Sequence, residues 1–313
     1  MTQPNAVYAE NLSKDFNSVR AVDHLSIEIP PGIVFGFLGP NGAGKTTTIR
    51  LLLGLLEPSE GRAEVLGFDT RRQAGAIRQR CGALLEHNGL YERISAEDNL
   101  EFYGRIWHIP APERRTRIQE LLTHLGLWER RKELAGNWSR GMKQKLAVAR
   151  TLLHHPNLVF MDEPTAGLDP VAALALRDDL SALVEREGVT VFLTTHNLAE
   201  AEKLCHQVGI IRQGRLLAVG PLDQLRTQAG GPRLEIAGHG FTPQVLETLR
   251  LRPEVAGLQL NQDHLIVSLH QPVEAAPFVN LLVAAGAQVE EVRKGKASLE
   301  EAFLALMEEE EVE

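Results

Sequence analysis

The run GPNGAGKTT at residues 39–47 constrains this chain more strongly than any other feature. The residues before it, GIVFGFL, form a continuous apolar run that predicts a strand buried on both faces, and the residues after it have helical spacing. A glycine-rich turn in this setting leaves backbone N–H groups free to surround phosphate groups. A turn that binds nothing is the alternative, which the flanking strand and helix disfavour. The run therefore predicts a nucleotide-binding loop.

The residue types within this loop indicate separate tasks. Backbone N–H groups from Asn41 to Thr46 are expected to wrap the phosphates, while Lys45 reaches the β- and γ-phosphates and Thr46 ligates Mg²⁺. The candidate residues for binding ATP in this loop are Gly39, Pro40, Asn41, Gly42, Ala43, Gly44, Lys45, Thr46 and Thr47.

Two other apolar strands end on residues that suit the same site. The run LVFMDEP at 158–164 places Asp162 and Glu163 after four apolar residues, and FLTTH ends on His196. Because ligands bind at the carboxyl edge of a parallel sheet, Asp162 is expected to hold Mg²⁺ and Glu163 to polarise the attacking water. The alternatives are a helix cap followed by an acid for the carboxylate pair, and a capping or packing role for His196.

Strands and helices alternate over most of the chain, which predicts an α/β domain with a mainly parallel sheet. Residues 1–30 alternate in the manner of short strands, AVYAENLSKDF and HLSIEIP, which are expected to form an N-terminal antiparallel subsheet. A mostly helical insert at about 92–145 opens on Ser95, with Asp98 three residues later in a capping-box pattern. After a boundary at 230/231, residues 231–313 follow the β-α-β-β-α-β order of a small ferredoxin-like α+β domain and end in an acidic tail.

Net charge, cysteine spacing and hydropathy disfavour several classes of protein. The net charge of −8 argues against nucleic acid as the main partner, and Cys81 and Cys205 are too far apart in the sequence for metal-type spacing. We expect two buried thiols in a reducing compartment. The first residues are polar, and no apolar run approaches the eighteen or so residues of a membrane-spanning helix. A cytosolic protein is therefore expected, with any membrane role supplied by a partner.

A second anion site is predicted in NWSRGMKQKL at 137–146, where Ser139 and Gly141 lie at the start of a helix. The unpaired N–H groups and the dipole of a helix start favour an anion.

The motifs together resemble those of ABC transporter ATPase subunits, and SRGMKQ resembles that family's signature motif in its drug- and antibiotic-exporter form. The resemblance extends over residues 5–228, and residues 232–308 resemble the small C-terminal domain that many members of that branch carry.

The resemblance implies roles that the residues alone do not. Phe16 matches the adenine-stacking position, although a core phenylalanine is the simpler interpretation from the sequence. Asp169 matches the D-loop, Glu163 the catalytic glutamate, and His196 the switch histidine. Glu86 falls where the family has a Mg²⁺-facing glutamine, which is a departure, and Arg140 and Met142 depart from the usual signature residues.

The resemblance also implies an assembly. In this family two ATPase chains close head to tail around two ATP molecules, so Ser139 and Gly141 are expected to complete the partner's site in a homodimer. If the chain serves an exporter, we expect a separately encoded membrane permease. The chain would then lie on the inner face of the cell membrane, bound to that permease. A groove near residues 86–95 is expected to receive the permease, with Leu90, Tyr91 and Ile94 as apolar contacts or as local core. A soluble ABC-type ATPase without a permease, or an importer ATPase, is the alternative.

Overall fold

The computed structural model describes residues 4–296 and 298–309, so the acidic chain end at 310–313 lies outside the described residues. Contacts divide the chain into two compact units, Met1–Val219 and Gly220–Glu313. This division precedes the predicted boundary at 230/231, because residues 222–230 form a helix that packs on the last helix of the second unit.

Among the described residues, the first unit contains ten strands, the last of which ends two residues past the unit's boundary, seven α-helices, and two short 3₁₀ helices at Trp128–Arg130 and Ala135–Asn137. The strands are β1 (Val7–Phe16), β2 (Val19–Ile29), β3 (Val34–Leu38), β4 (Glu60–Val65), β5 (Phe68–Asp69), β6 (Cys81–Leu84), β7 (Leu158–Asp162), β8 (Thr190–Thr195), β9 (Gln207–Arg212) and β10 (Arg215–Pro221). The helices are α1 (Lys45–Leu52), α2 (Ala74–Arg80), α3 (Ala96–Ile106), α4 (Ala111–His124), α5 (Arg140–Leu152), α6 (Pro170–Glu187) and α7 (Leu198–Leu204).

The central sheet has six strands in the order β10-β9-β3-β8-β7-β6. Strands β3, β8, β7 and β6 are parallel neighbours, and β9 pairs in parallel with the other side of β3. The apolar runs that predicted doubly buried strands are buried: β3 and β8 have no exposed residue. The phenylalanine rings Phe35, Phe160 and Phe192 pack together across three adjacent strands. The α/β fold with a mainly parallel sheet is therefore confirmed.

The N-terminal residues form a separate antiparallel sheet, with the strand order β2-β1-β4-β5. The predicted N-terminal antiparallel subsheet is confirmed, and β1 has the extent predicted from AVYAENLSKDF, whereas β2 begins five residues before the predicted HLSIEIP at 24–30. Register shifts after Ala9 and Leu12 interrupt the pairing of β1 with β2, and irregular pairing of this kind blurs the alternating pattern in the sequence. The sheet buries Val7, Leu25 and Ile29 in the same core as α1 and β3.

The helical insert consists of α3, α4 and the first part of α5. Ser95 caps α3 as predicted, since its Oγ accepts from the Asp98 amide at 3.0 Å; Asp98 returns the contact through the Ser95 hydroxyl, which donates to its carboxylate at 2.6 Å. A buried ion pair ties α4 to α6: Arg117, 3% exposed, donates to both carboxylate oxygens of Glu187 at 2.8 and 2.9 Å. Burial alone raises the pKa of Glu187, but hydrogen bonds from Arg117 and Arg186 outweigh it and hold that pKa at about 2.

The Arg117–Glu187 pair predicts a pH-dependent stability. Because the Glu187 pKa lies below its ordinary value near 4.5, the pair's contribution is complete above that pH and is lost as the pH falls toward 2. We expect Glu187→Gln to lower the free energy of unfolding by about 3 kcal/mol at pH 7. Urea titrations from pH 7 to 3, followed by fluorescence of Trp107, Trp128 and Trp138 in the insert, measure the difference. If the difference in free energy of unfolding between the unmodified chain and Glu187→Gln did not shrink on acidification, the prediction would be wrong.

The second unit begins with α8 (Leu222–Gly230), which the sequence did not predict. Its remaining elements are β11 (Pro232–His239), α9 (Pro243–Arg250), β12 (Val255–Asn261), β13 (His264–Leu269), α10 (Ala276–Ala284), β14 (Gln288–Lys296) and α11 (Leu299–Glu309). The antiparallel sheet order β12-β13-β11-β14 is that of a ferredoxin-like fold, and Leu234, Val267 and Phe278 lie in its core.

Two further expectations concern the whole chain. Both cysteines are buried and free, as predicted, and burial raises the pKa of Cys81 to about 12. None of the helices in the described part of the chain is long and apolar enough to cross a bilayer.

Candidate nucleotide-binding site

The loop between β3 and α1 has the backbone that phosphate binding requires. Gly42 and Gly44 have φ of 81° and 105°, in the left-handed region where residues with a Cβ are strained. A Cβ at Gly44 would also lie 2.4 Å from the Ala21 carbonyl oxygen, so only glycine fits there. Helix α1 begins at the next residue, Lys45, and its positive end therefore faces the loop.

Lys45 lies at the centre of this loop and is 6% exposed. Its Nζ donates to the Gly39 carbonyl at 2.6 Å and to the Pro40 carbonyl at 3.1 Å. Nζ also lies 3.2 Å from Glu163 Oε1, an ion pair without the angles of a hydrogen bond. The cation of the loop and the carboxylate that ends β7 therefore face the same point.

Asp162 is held by two hydroxyl groups. Thr46 Oγ1 donates to its Oδ2 at 2.6 Å, and Thr194 Oγ1 donates to its Oδ1 at 2.6 Å. The parallel register makes this possible, because Asp162 pairs with Thr194 across β7 and β8. Thr194 is fully buried and fixes the orientation of the carboxylate.

Glu163 and His196 lie side by side just beyond the strand ends. The Nδ1 atom of His196 is 2.8 Å from Glu163 Oε2, and the Glu163 amide donates to Thr194 Oγ1 at 3.0 Å. Glu163 has φ of 50°, an unusual value for a residue other than glycine. Strain of this kind persists where the surroundings hold the residue, and it is concentrated at functional sites.

Lys45, Thr46, Asp162 and Glu163 line an open cleft of about 700 Å³, whereas Gly39, Thr194 and His196 do not line it. Its walls are the phosphate loop, Asp162 and Glu163 on β7 and the adjoining turn, Leu85 and Glu86 after β6, and residues Arg140, Lys143 and Gln144 of α5. Basic side chains and loop amides thus surround a space suited to a polyphosphate.

The signature residues Ser139 and Gly141 lie outside this cleft. Ser139 caps α5, its Oγ accepting from the Met142 amide at 3.3 Å, and Asp169 caps α6 by accepting from the Val171 and Ala172 amides. Neither Ser139 nor Gly141 lines the cleft of its own chain. Arg140 does, and it donates to the Ala166 carbonyl at 2.9 Å.

Two predicted residues lie at the margin of the site. Phe16 is 43% exposed at the end of β1, with Lys14 Nζ 5.3 Å above its ring, and it does not line the cleft; Ala21 of β2 does. Glu86 lines the cleft, but its side chain is 73% exposed and lies 4.0 Å from the Arg50 guanidinium.

Sequence reasoning missed two residues that hold this site together. Thr194 contacts both Asp162 and Glu163, and Gln144 donates to the Pro164 carbonyl at 2.6 Å. A signal for Thr194 was available, since FLTTH carries two threonines in an otherwise apolar strand. No comparable local signal marks Gln144, because its partner is 20 residues away.

The donor set fits Mg²⁺. Thr46 and Asp162 offer a hydroxyl and a carboxylate, both hard oxygen donors, directed at one point. Among the described residues there is no group of three or more His, Cys, Asp or Glu that suits a metal ion. A site with one or two protein ligands is what Mg²⁺ uses when phosphate oxygens and water complete its coordination.

The amino-acid sequence of the chain is similar to those of known ATP-binding proteins of transporters. A family model described as "ABC transporter" matches residues 22–166. The chain is 35% identical to the "Bacitracin transport ATP-binding protein BcrA" of Bacillus licheniformis, over 95% of each chain. It is also 35% identical to the "Daunorubicin/doxorubicin resistance ATP-binding protein DrrA" of Streptomyces peucetius, over 97% of this chain and 93% of that one.

Solved structures give the same result for the fold. A structure described as "ATP binding subunit of ABC transporter" superposes with a TM-score of 0.64 at 30% identity, and the match covers 71% of this chain and 92% of that one. A second, of cbiO1 from Clostridium perfringens, has a TM-score of 0.65 at 25% identity.

Proposed function

Because the chain belongs to the ABC transporter family of ATP-binding proteins, we propose that it hydrolyses ATP as the energy-supplying subunit of an export complex. One observation carries this proposal: Lys45, Thr46, Asp162, Glu163 and His196 meet at one edge of the sheet, at the mouth of the phosphate loop. The relatives named for bacitracin transport and daunorubicin resistance favour export over import.

The geometry supports a division of roles in hydrolysis. Lys45 and the loop amides would bind the β- and γ-phosphates and offset their negative charge. Glu163 would accept the proton of the attacking water, with His196 holding one carboxylate oxygen so that the other faces the phosphate. Thr46 and Asp162 would hold Mg²⁺, which, when bound, offsets the charge of the phosphate oxygens.

The signature residues support a composite site in a homodimer. Ser139 and Gly141 form a helix start, a binding site for anions, yet they do not line their own cleft. We propose that this helix start meets the γ-phosphate bound by a second copy of the chain, and that Asp169 lies at the same interface. ATP would then close the dimer, and hydrolysis would reopen it.

Glu86 is proposed as a Mg²⁺-facing residue in place of the family's glutamine. Its carboxylate lines the cleft and is exposed enough to turn toward a bound metal. We expect Glu86→Gln to raise the Mg²⁺ concentration for half-maximal ATP turnover about threefold or more, because an amide is a weaker ligand than a carboxylate. Titration of turnover with Mg²⁺ at fixed ATP measures this, and an unchanged midpoint would remove the role.

The surface where a membrane subunit would dock is proposed to lie on the insert. Tyr91, Phe102 and Ile106 are 50%, 41% and 53% exposed, and the first two rings pack edge to face at 4.9 Å. Leu90 and Ile94 are half-buried, so they expose less apolar surface than Tyr91 does. Contiguous exposed apolar side chains of this kind mark protein contacts. The second unit is proposed to be an accessory domain.

The experiment that tests the proposal is recovery of the tagged chain from detergent-solubilised membranes of its host, with and without ATP. We expect a membrane protein with several spanning helices in near-equal amount, which would also place the chain at the inner face of the cell membrane. Recovery only from the soluble fraction, with ribosomes, DNA or nothing attached, would leave an ATPase without a permease and exclude the export complex.

The same recovery experiment tests the docking surface. We expect Tyr91→Asp combined with Phe102→Asp to abolish recovery of the membrane protein, because two charges would have to be desolvated in an apolar contact. ATP affinity should stay within about twofold, since neither residue lines the nucleotide cleft. Leu251→Asp, which alters an 85% exposed apolar residue in the second unit, is the matched control. Loss of ATP binding in the double variant would show that these residues are local core.

A further inference from the structure

A buried carboxylate lies behind the Glu163–His196 pair, that of Glu200 in α7. It is 1% exposed, and its Oε2 accepts hydrogen bonds from Thr165 Oγ1 and Thr195 Oγ1, each at 2.9 Å. The second oxygen, Oε1, is buried with no hydrogen-bond partner. No cation pairs with this carboxylate in the part of the chain that the structure describes.

Both threonines are close in sequence to the residues of the proposed reaction. Thr165 follows Glu163 by two residues, and Thr195 immediately precedes His196. A single oxygen of Glu200 therefore ties the chain after Glu163 to the chain before His196. These two segments belong to the ends of different strands, β7 and β8. Across them, His196 Nδ1 lies 2.8 Å from Glu163 Oε2. The carboxylate closes a ring of contacts around the pair.

The carboxylate lies in the first turn of α7, where the helix dipole favours a negative charge, but the helix start does not need its hydrogen bonds. The start of α7 is capped by Asn197, whose Oδ1 accepts from the Glu200 amide at 3.2 Å, so the backbone of Glu200 is satisfied without its side chain. Burying a carboxylate with one unpartnered oxygen and no cation costs free energy that a neutral side chain would not. Meanwhile Glu163 has a strained φ of 50°, which requires support from its surroundings.

We propose that Glu200 is a positioning residue, whose buried carboxylate holds Thr165 and Thr195 and so sets the placement of Glu163 against His196. It touches neither the nucleotide loop nor the cleft. It acts on the direction in which Glu163 presents its oxygen to water. The inference rests on the proposed function, because it requires Glu163 to be the general base.

The test is the kinetics of Glu200→Leu and Glu200→Gln in the full-length chain. Leucine has no acceptor for the two hydroxyls, and we expect kcat to fall about 10- to 100-fold because a small misplacement of the base slows proton transfer. KM for ATP should change less than about threefold, since the phosphate loop is intact. Glutamine keeps one acceptor oxygen and should restore kcat to within about threefold.

Two further variants separate positioning from general stability. The double variant Thr165→Val with Thr195→Val removes both hydrogen bonds to Glu200 while keeping its carboxylate, together with the bond from the Asn197 amide to Thr195 Oγ1, and it should lower kcat at least as much as Glu200→Leu does. Adding Thr165→Val alone to Glu200→Leu should cause no further loss, because the Thr165 hydroxyl acts through its bond to Glu200. Ile118→Ala, a core change in α4, should lower Tm while leaving kcat at 25 °C unchanged.

The outcomes are distinct. A kcat within twofold of the unmodified chain for Glu200→Leu, or for the threonine double variant, would overturn the inference. So would a kcat loss in Ile118→Ala equal to that in Glu200→Leu, which would reduce the effect to stability. Absence of ATP turnover in the unmodified chain would instead refute the proposed function, and the inference would fail with it.

Discussion

Glu163→Gln is expected to bind ATP, to hydrolyse it at least about 100-fold more slowly than the unmodified chain, and to accumulate as an ATP-bound dimer. The amide keeps the shape of the carboxylate but cannot accept a proton from water. Lys45, Thr46 and Asp162, which would bind the phosphates and Mg²⁺, are unchanged. Phosphate release at saturating ATP and Mg²⁺ measures the turnover, and solution scattering with and without ATP measures the mass.

The matched control is Glu120→Gln on the surface of α4, where the side chain is 52% exposed and remote from the cleft. It should hydrolyse ATP as the unmodified chain does. Turnover by Glu163→Gln within tenfold of the unmodified chain would show that another group accepts the proton. An ATP-saturated Glu163→Gln chain that stayed monomeric would contradict the proposed dimer.

The second large effect concerns the composite site. Lys45→Ala removes the phosphate-binding cation, and Gly141→Asp places a carboxylate in the helix start proposed to bind the partner's γ-phosphate. Each variant alone should lose about 100-fold or more of its turnover. Mixed before ATP is added, the two should recover up to about a quarter of the activity, because half of the dimers form between unlike chains and each of these has one intact site.

This recovery depends on sites that are shared between chains. If each chain used its own Ser139 and Gly141, every site in the mixture would carry a defect and no activity would return. Mixing Gly141→Asp with a chain that carries both changes is the control, because every site in it lacks an intact helix start or Lys45. Recovery in that control would show that mixing restores activity without an intact helix start from a partner, and it would contradict the shared site.

Local patterns were sufficient for the elements and the binding loop. The β3–loop–α1 segment is contiguous, so its buried strand, its glycines and its helix start can all be recognised within about twenty residues of sequence. The alternation of strands and helices predicted the α/β class and the ferredoxin-like order of the second unit, which the structure has. The limits of local patterns appear in β2, whose first five residues were not predicted, and in α8, whose partner α11 lies far along the chain.

Local sequence patterns identify the set of reactive groups: a phosphate loop, two carboxylates at one strand end, a histidine at another, and a second helix start for an anion. How these groups are held depends on contacts between distant parts of the folded chain. Thr46 and Asp162 are 116 residues apart and meet at 2.6 Å, and Thr194 and Glu200 support the site from inside the protein. Strand order and register bring these side chains together, and both arise from long-range packing that no local pattern encodes.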